Sequence, residues 1–345
     1  MGPLLMTLLA GFLGGALLQR LRVPGGMMLG SVAVVALLNI NTSWVDIPSG
    51  FRFVAQCITG AYIGMTVQKK DLPRLKHLFK PVLTLLCGLL LVNLLVGYAI
   101  YLLSPLDLLT AMLCAVPGGI SDMPLIAVDL GADAPKVAVM QFVRLISGLA
   151  MIPLLVRQQG ETVEATVKTK SGDILPKTPK FSKSLAFALL VAVLAGYLGK
   201  VLEIPAGTLL FAMLSVVLLK LCSLEVTFPL WFKRVAQLFS GAYIGSHFGY
   251  RDFQELKFLL IPAVFLVVVN VLACLAMGHF LSRAYRMPLS QAILSSSPAG
   301  ASDMALIASD LGVSGSDVAL VQIFRLLGAV ALFPQIIRLL VEALV

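Results

Sequence analysis

Charge is scarce in this chain. Of its 345 residues, 12% are Asp, Glu, Lys or Arg and 59% are hydrophobic, with a mean hydropathy of +0.97. Soluble domains carry about a quarter charged residues, so the scarcity excludes an ordinary water-soluble globule and implies a multi-pass membrane protein. Histidine is nearly absent. His77, His247 and His279 are scattered, which gives no metal-binding constellation. The five cysteines, Cys57, Cys87, Cys114, Cys222 and Cys274, lie in or at the ends of apolar stretches without a C-x-x-C pair, and read as small core hydrophobes. Without clustered ligands there is no expected metal, cofactor or catalytic residue, and the chain is not expected to be an enzyme. No polar stretch is long enough for a DNA-binding domain. The net charge of +9 therefore reflects bases in short loops, the usual placement of cytoplasmic Lys and Arg, and no nucleic-acid partner is expected. No small-residue cleavage site follows the first apolar run, which reads as a retained span.

What the chain does have is a repeat. Pro117-Gly118-Gly119-Ile120-Ser121-Asp122 returns as Pro298-Ala299-Gly300-Ala301-Ser302-Asp303, a shift of 181 residues. The same shift relates Asp129-Leu130-Gly131 to Asp310-Leu311-Gly312, Gln141-x-x-Arg144 to Gln322-x-x-Arg325, Pro153 to Pro334, and Gly60-Ala61-Tyr62-Ile63-Gly64 to Gly241-Ala242-Tyr243-Ile244-Gly245. The expected organisation is a first membrane repeat at 1–156, a polar cytoplasmic linker at 157–183, and a second membrane repeat at 184–345. Apolar spans are expected at about 4–18, 24–38, 51–67, 81–103 and 136–156, then at 184–202, 205–221, 232–248, 258–281 and 318–341. Glycines four apart let another helix approach closely. The segments 106–133 and 289–314 are different: each holds two short apolar arms around a small-residue break. Neither arm crosses a membrane alone at about 1.5 Å per residue, so each segment is a broken crossing helix or a re-entrant hairpin.

Charge chooses between these topologies. With re-entrant breaks the two halves are inverted. Then 18 of the 26 Lys and Arg fall inside, in the segments 19–22, 68–80, 157–183, 220–234 and 283–286, while Arg52, Lys136, Lys200, Arg251, Lys257 and Arg338 fall outside, and Arg144 and Arg325 lie in the membrane. With crossing breaks the split is 11 to 13, which is no bias. The positive-inside rule selects inversion. The fold class is therefore an all-α integral membrane protein of two inverted repeats, each with about five transmembrane helices and one re-entrant or broken segment.

Inverted halves carrying mid-membrane breaks point to a transporter-like site. Ser121 and Ser302 stand where they would cap the second arm of each break. Asp122 and Asp303 beside the breaks read either as caps or as handlers of a proton or cation. Arg144 and Arg325 read either as partners of those carboxylates or as clamps on an anion. The candidate substrate-binding set is Gly118, Gly119, Ser121, Gln141 and Arg144 with Ser297, Gly300, Ser302, Gln322 and Arg325, and the candidate coupling-ion residues are Asp122 and Asp303. Ser295-Ser296-Ser297 has Cys114-Ala115-Val116 as its equivalent, so the two breaks are not chemically equal.

Ala55-Gln56 with the glycine pair of 60–64, Pro117-Gly118-Gly119, Asp129-x-Gly131-Ala132-Asp133 and Val139-Met140-Gln141-Phe142-x-Arg144, each with its repeat, resemble the AbrB-type bacterial membrane proteins. That duplicated family is often labelled "ammonia monooxygenase" or "regulator of aidB". The resemblance covers nearly the whole chain and implies a multi-pass protein of the bacterial inner membrane. Its architecture is similar to that of glutamate/sodium and citrate/sodium symporters, an analogy of fold. The function expected is secondary transport of a small, anionic metabolite with a proton or sodium ion. The alternative is a membrane regulator or sensor that affects gene expression indirectly, as the family label implies. Besides lipid, the expected partner is a small-molecule solute; a homodimer is compatible with the sequence.

Overall fold

A computed structural model of the protein describes residues 2–21, 23–42, 45, 47–158, 183–222, 229–311 and 313–344. Residues 159–182, most of the expected linker, lie outside them. The secondary structure of the described residues is helical, with no strand among them. The first half holds α1 (Gly2–Arg20), α2 (Gly26–Thr42), α3 (Ser49–Met65), α4 (Leu72–Leu103), α5 (Leu108–Ala115), α6 (Asp122–Leu130) and α7 (Ala134–Gln158). The second holds α8 (Lys183–Val201), α9 (Gly207–Leu221), α10 (Leu230–Ser246), α11 (Tyr250–Glu255), α12 (Leu260–Tyr285), α13 (Leu289–Ser296), α14 (Ala301–Asp310) and α15 (Gly315–Leu344).

Five helical stretches are long and apolar enough to cross a membrane: Lys76–Leu103, Ala134–Ile152, Ser184–Val201, Tyr250–Tyr285 and Gly315–Ala343. The other expected spans form helices as well, but α2, α3 and α10 have 17 residues and α9 has 15, short of the roughly 20 that a bilayer asks for. One boundary differs clearly from expectation. The base-rich stretch before Pro81 is helix, and α4 runs through Pro81, because Pro73 occupies its first turn, where a missing N–H has no partner to lose.

Contacts sort the helices into two bundles. α1, α2, α3, α8, α9 and α10 pack on one another, and α4 to α7 pack with α12 to α15. Each bundle draws equivalent helices from both halves, and its contacts come in pairs. Where α3 packs on α9, the equivalent α10 packs on α2; where α4 packs on α15, α12 packs on α7. Two equivalent pairs run antiparallel, α4 with α12 and α3 with α10. Thr84 in the first half of α4 meets Tyr285 at the end of α12 (2.6 Å), and Gly88, one turn further on, packs on Met277, earlier in α12. Likewise Arg52 at the start of α3 lies over Tyr243 near the end of α10 (5.9 Å), while Lys233 at the start of α10 lies over Tyr62 near the end of α3 (5.5 Å).

Glycine makes the first bundle tight. A Cβ on Gly60 or Gly64 would collide with the Leu209 or Met213 carbonyl of α9. At the equivalent places a Cβ on Gly241 would sit 2.6 Å from the Met28 oxygen, and one on Gly245 2.8 Å from the Val32 oxygen, both in α2. In lipid, where apolar side chains gain nothing by leaving water, such backbone approach is what holds helices together. Gly60→Val is expected to cost about 1–3 kcal/mol of stability by overpacking, seen as a lower melting temperature in detergent. Gly50→Ala, whose Cβ meets nothing within 4 Å, serves as the neutral control.

Candidate functional site

Each expected break is present. α5 ends at Ala115 and α6 starts at Asp122; α13 ends at Ser296 and α14 starts at Ala301. The two ends of the first broken segment meet, since the Asp133 N–H just beyond α6 donates to Thr110 Oγ1 at the start of α5 (3.0 Å). Gly131, in the left-handed conformation at φ 76°, closes α6 by turning its N–H back onto the Ala127 and Val128 carbonyls, a conformation that costs glycine little.

A helix that stops inside an apolar medium leaves its last carbonyls without partners. Here the Gln-x-x-Arg pairs meet them. Gln141 Nε2 donates to the carbonyls of Leu113 (3.2 Å), Cys114 (3.4 Å) and Val116 (3.1 Å). Arg144 Nη1 donates to Val116 O (2.7 Å) and Nη2 to Gly118 O. In the second half Gln322 Nε2 donates to Leu294 O (2.7 Å) and Ser297 O (3.1 Å), and Arg325 to the carbonyls of Ser297 and Ala299. The three-residue spacing puts amide and guanidinium on one face of α7 or α15. A permanent cation at a helix C-terminus also suits the sign of the helix dipole. All four side chains are buried.

The expected roles divide. Neither arginine forms an ion pair with Asp122 or Asp303 among the described residues; their η-nitrogens face backbone oxygen instead. Ser121 makes no side-chain cap to α6, since its backbone is already helical (φ −88°, ψ −27°), unlike the extended backbone of a capping residue. The side chain of Ser302 lies outside the described residues. Asp122 folds over Gly119 and Asp303 over Gly300: a Cβ on Gly119 would collide with the Asp122 carboxylate, and one on Gly300 would lie 2.8 Å from Asp303 Oδ2. A Cβ on Gly118 would meet Met123. The glycines of the breaks are thus seats for neighbouring side chains. Asp122 is buried and Asp303 is exposed.

Several buried polar atoms around the breaks have no partner among the described residues: the Nε of Arg144 and of Arg325, the Oε1 of Gln141 and of Gln322, and the hydroxyls of Ser295 and Ser297. Each is a hydrogen-bonding capacity open to water or a polar solute. The breaks also come close to each other, with Gly148 of α7 packing on Pro298 and Ala299 and the two guanidiniums within electrostatic reach.

Other functional candidates come from the first bundle, where it faces α6, and are not in the sequence-derived set. Arg52 pairs with Asp129 (3.3 Å), and Gln56 Nε2 donates to the same carboxylate (2.7 Å), so α3 is clasped to the end of α6. Lys233, the equivalent of Arg52, lies within electrostatic reach of both Asp122 and Asp303. The signal lies in the sequence: a base recurs at the same register of two equivalent apolar helices, Arg52 and Lys233.

These features match a known family. The family described as "Transition state regulatory protein AbrB" matches this chain over residues 1–160 and 42–341. The chain belongs to the AbrB family. AbrB relatives include the "Uncharacterized protein YhjN" of Bacillus subtilis (strain 168), 28% identical over 351 residues, covering 95% of this chain and 90% of that protein. Another is the "Putative regulator AbrB" of Escherichia coli (strain K12), 29% identical over 324 residues, covering 92% of this chain and 90% of that one.

The carbonyl-capping geometry makes a stability forecast. Arg325→Met leaves the Ala299 carbonyl unpartnered and the Ser297 carbonyl with Gln322 alone, at about 1–3 kcal/mol for the lost buried acceptor. Arg338→Met, which breaks an exposed pair with Glu342 (2.6 Å), is expected to cost under about 1 kcal/mol. Thermal melts of the two variants in one detergent make the comparison.

Proposed function

We propose that this AbrB-family protein is a secondary transporter of a bacterial inner membrane, moving a small anionic metabolite together with a proton or sodium ion. The observation that carries the reading is the sorting of the helices into two bundles, with α3 on α6, α10 on α6 and α10 on α7 among the contacts between them and both helix breaks in one bundle. One bundle then moves against the other and carries the breaks with it.

In this reading the repeats 1–156 and 184–345 are inverted in the membrane, joined by a cytoplasmic linker at 157–183, and the broken segments are re-entrant. The antiparallel run of α4 against α12 and of α3 against α10 supports inversion. The contact between Thr110 and Asp133 supports re-entry. Charged groups expected on one side also gather: Arg52 with Asp129, and Lys136 with Glu255 (2.6 Å).

Substrate oxygen is taken by the free Arg144 and Arg325 Nε–H groups and by the Ser295 and Ser297 hydroxyls, since the η-nitrogens are occupied by carbonyls. Asp122 and Asp303 bind the co-transported proton or cation, with Lys233 as their standing counter-charge. The Arg52–Asp129–Gln56 clasp closes the expected outer side, while exposed Asp303 marks an opening at the inner one. No step of this cycle makes or breaks a covalent bond, so the protein is not an enzyme in this reading.

A second reading, a membrane regulator that senses a ligand, is favoured by the relative named as a regulator. Counterflow in proteoliposomes with a panel of labelled small carboxylates separates the two. Exchange supports transport, whereas no exchange alongside ligand-induced thermal stabilisation supports sensing. Within the transport reading, Asp303→Asn is expected to abolish the dependence of uptake on pH or sodium, and an unchanged dependence retires that residue's coupling role. Single cysteines placed in 160–180 and after Arg338 should label from opposite faces of the membrane. Labelling of both from one face would overturn the inverted arrangement.

A further inference from the structure

A second site lies away from the breaks, in the first bundle. The end of α1, the start of α2 and the start of α10 enclose a groove of about 580 Å³. Its walls are apolar, with Phe12, Ala16 and Leu238 along the helices, and its mouth carries Arg20, Arg234 and Trp231. Phe12 is 47% exposed and Trp231 51% exposed, so the groove opens outward from the helix bundle and not into the core. Neither arginine forms an ion pair among the described residues, and no acidic residue lines the groove. With its amide oxygen turned toward α10, Gln19 accepts from Arg234 Nε (2.8 Å) and Nη2 (2.9 Å). That contact orients the guanidinium and leaves its other N–H groups for a further acceptor.

We infer that this groove holds one anionic phospholipid, its phosphate between Arg20 and Arg234 and an acyl chain along Phe12, Ala16 and Leu238. The chemistry is complementary at both ends. Guanidinium matches phosphate geometry in a low-dielectric setting. Tryptophan prefers the headgroup level, where its ring is apolar and its N–H is wet. Basic pockets between helices are the recognised form of headgroup site.

The duplication sharpens the argument, because the two ends of the fold have diverged here. At the shift of 181, Tyr197 stands for Ala16, Val201 for Arg20 and Phe53 for Arg234. Lys200, the equivalent of Gln19, lays its ammonium over the Phe53 ring at 5.7 Å. One copy thus keeps a small residue beneath two arginines, while the other carries aromatic rings and a single cation. The groove is a property of this end of the molecule, not a by-product of the repeated unit.

The test uses the full chain, delipidated in detergent and titrated with phosphatidylglycerol or phosphatidylcholine of identical acyl chains, with bound lipid counted by native mass spectrometry. The wild type is expected to prefer phosphatidylglycerol. Arg20→Gln with Arg234→Gln should remove that preference, at about fivefold per cation, or roughly thirtyfold in all. Ala16→Phe, which fills the groove and leaves both arginines in place, should abolish the same adduct and covers the case in which the double variant fails to fold. Equal binding of the two lipids by the wild type, or an undiminished preference in either variant, overturns the proposal. So does a dimer that Ala16→Phe converts to monomer with lipid binding intact, which assigns the groove to a second copy of the chain.

Discussion

Two helices in this protein stop in a buried interior, among side chains that are mostly apolar. An unpartnered carbonyl in an apolar interior costs a few kcal/mol, and each broken segment exposes several. Gln141 with Arg144 and Gln322 with Arg325 remove that cost by turning amide and guanidinium donors onto the ends of α5 and α13. Without those donors the breaks would have no reason to persist in lipid. With them, α7 and α15 are fixed alongside the first arms, and the carboxylates of Asp122 and Asp303 are held over Gly119 and Gly300. A buried charge is expensive. Here it is put to use against several oxygen dipoles at once, in place of one carboxylate.

The two bundles are built by different physics. The α1–α3 and α8–α10 bundle is held by backbone approach at Gly60, Gly64, Gly241 and Gly245, where even a methyl group would not fit. Such packing resists sliding because interfaces of that density have few alternative registers. Across the boundary to the other bundle apolar contacts, such as Val128 of α6 against the cluster of Val35, Ala242 and Tyr243, stand beside a polar clasp. Arg52 and Gln56 hold Asp129, an arrangement that opens by exchanging partners. Rigidity within a bundle and exchangeable polar links between bundles are the material conditions for rigid-body motion.

Much of this was legible in the residues. The shift of 181 announced the duplication, and the breaks at Pro117-Gly118-Gly119 and Pro298-Ala299-Gly300 fell where helices stop. The glycine pairs announced close helix approach, since only a missing Cβ permits it. Other features were not legible. In the sequence Pro81 looks like the beginning of α4, while in the fold that place belongs to Pro73. Arg144 donates to the Val116 and Gly118 carbonyls, which the sequence does not reveal, because nearness to Asp122 along the chain says nothing about where a guanidinium points. Arg52 and Lys233 looked like loop bases, since only the packing of α3 and α10 on α6 gives them carboxylates to face.

The amino-acid order by itself determined the class of the molecule, its doubling and the location of its helix interruptions, because hydropathy, spacing and backbone-permissive residues are local properties. The tertiary structure alone decided which groups meet. That the arginines answer carbonyls, that α3 packs on α9 and α10 on α2, and that one end of the fold keeps a basic groove while its duplicate does not are outcomes of distance and direction, and a one-dimensional sequence carries neither.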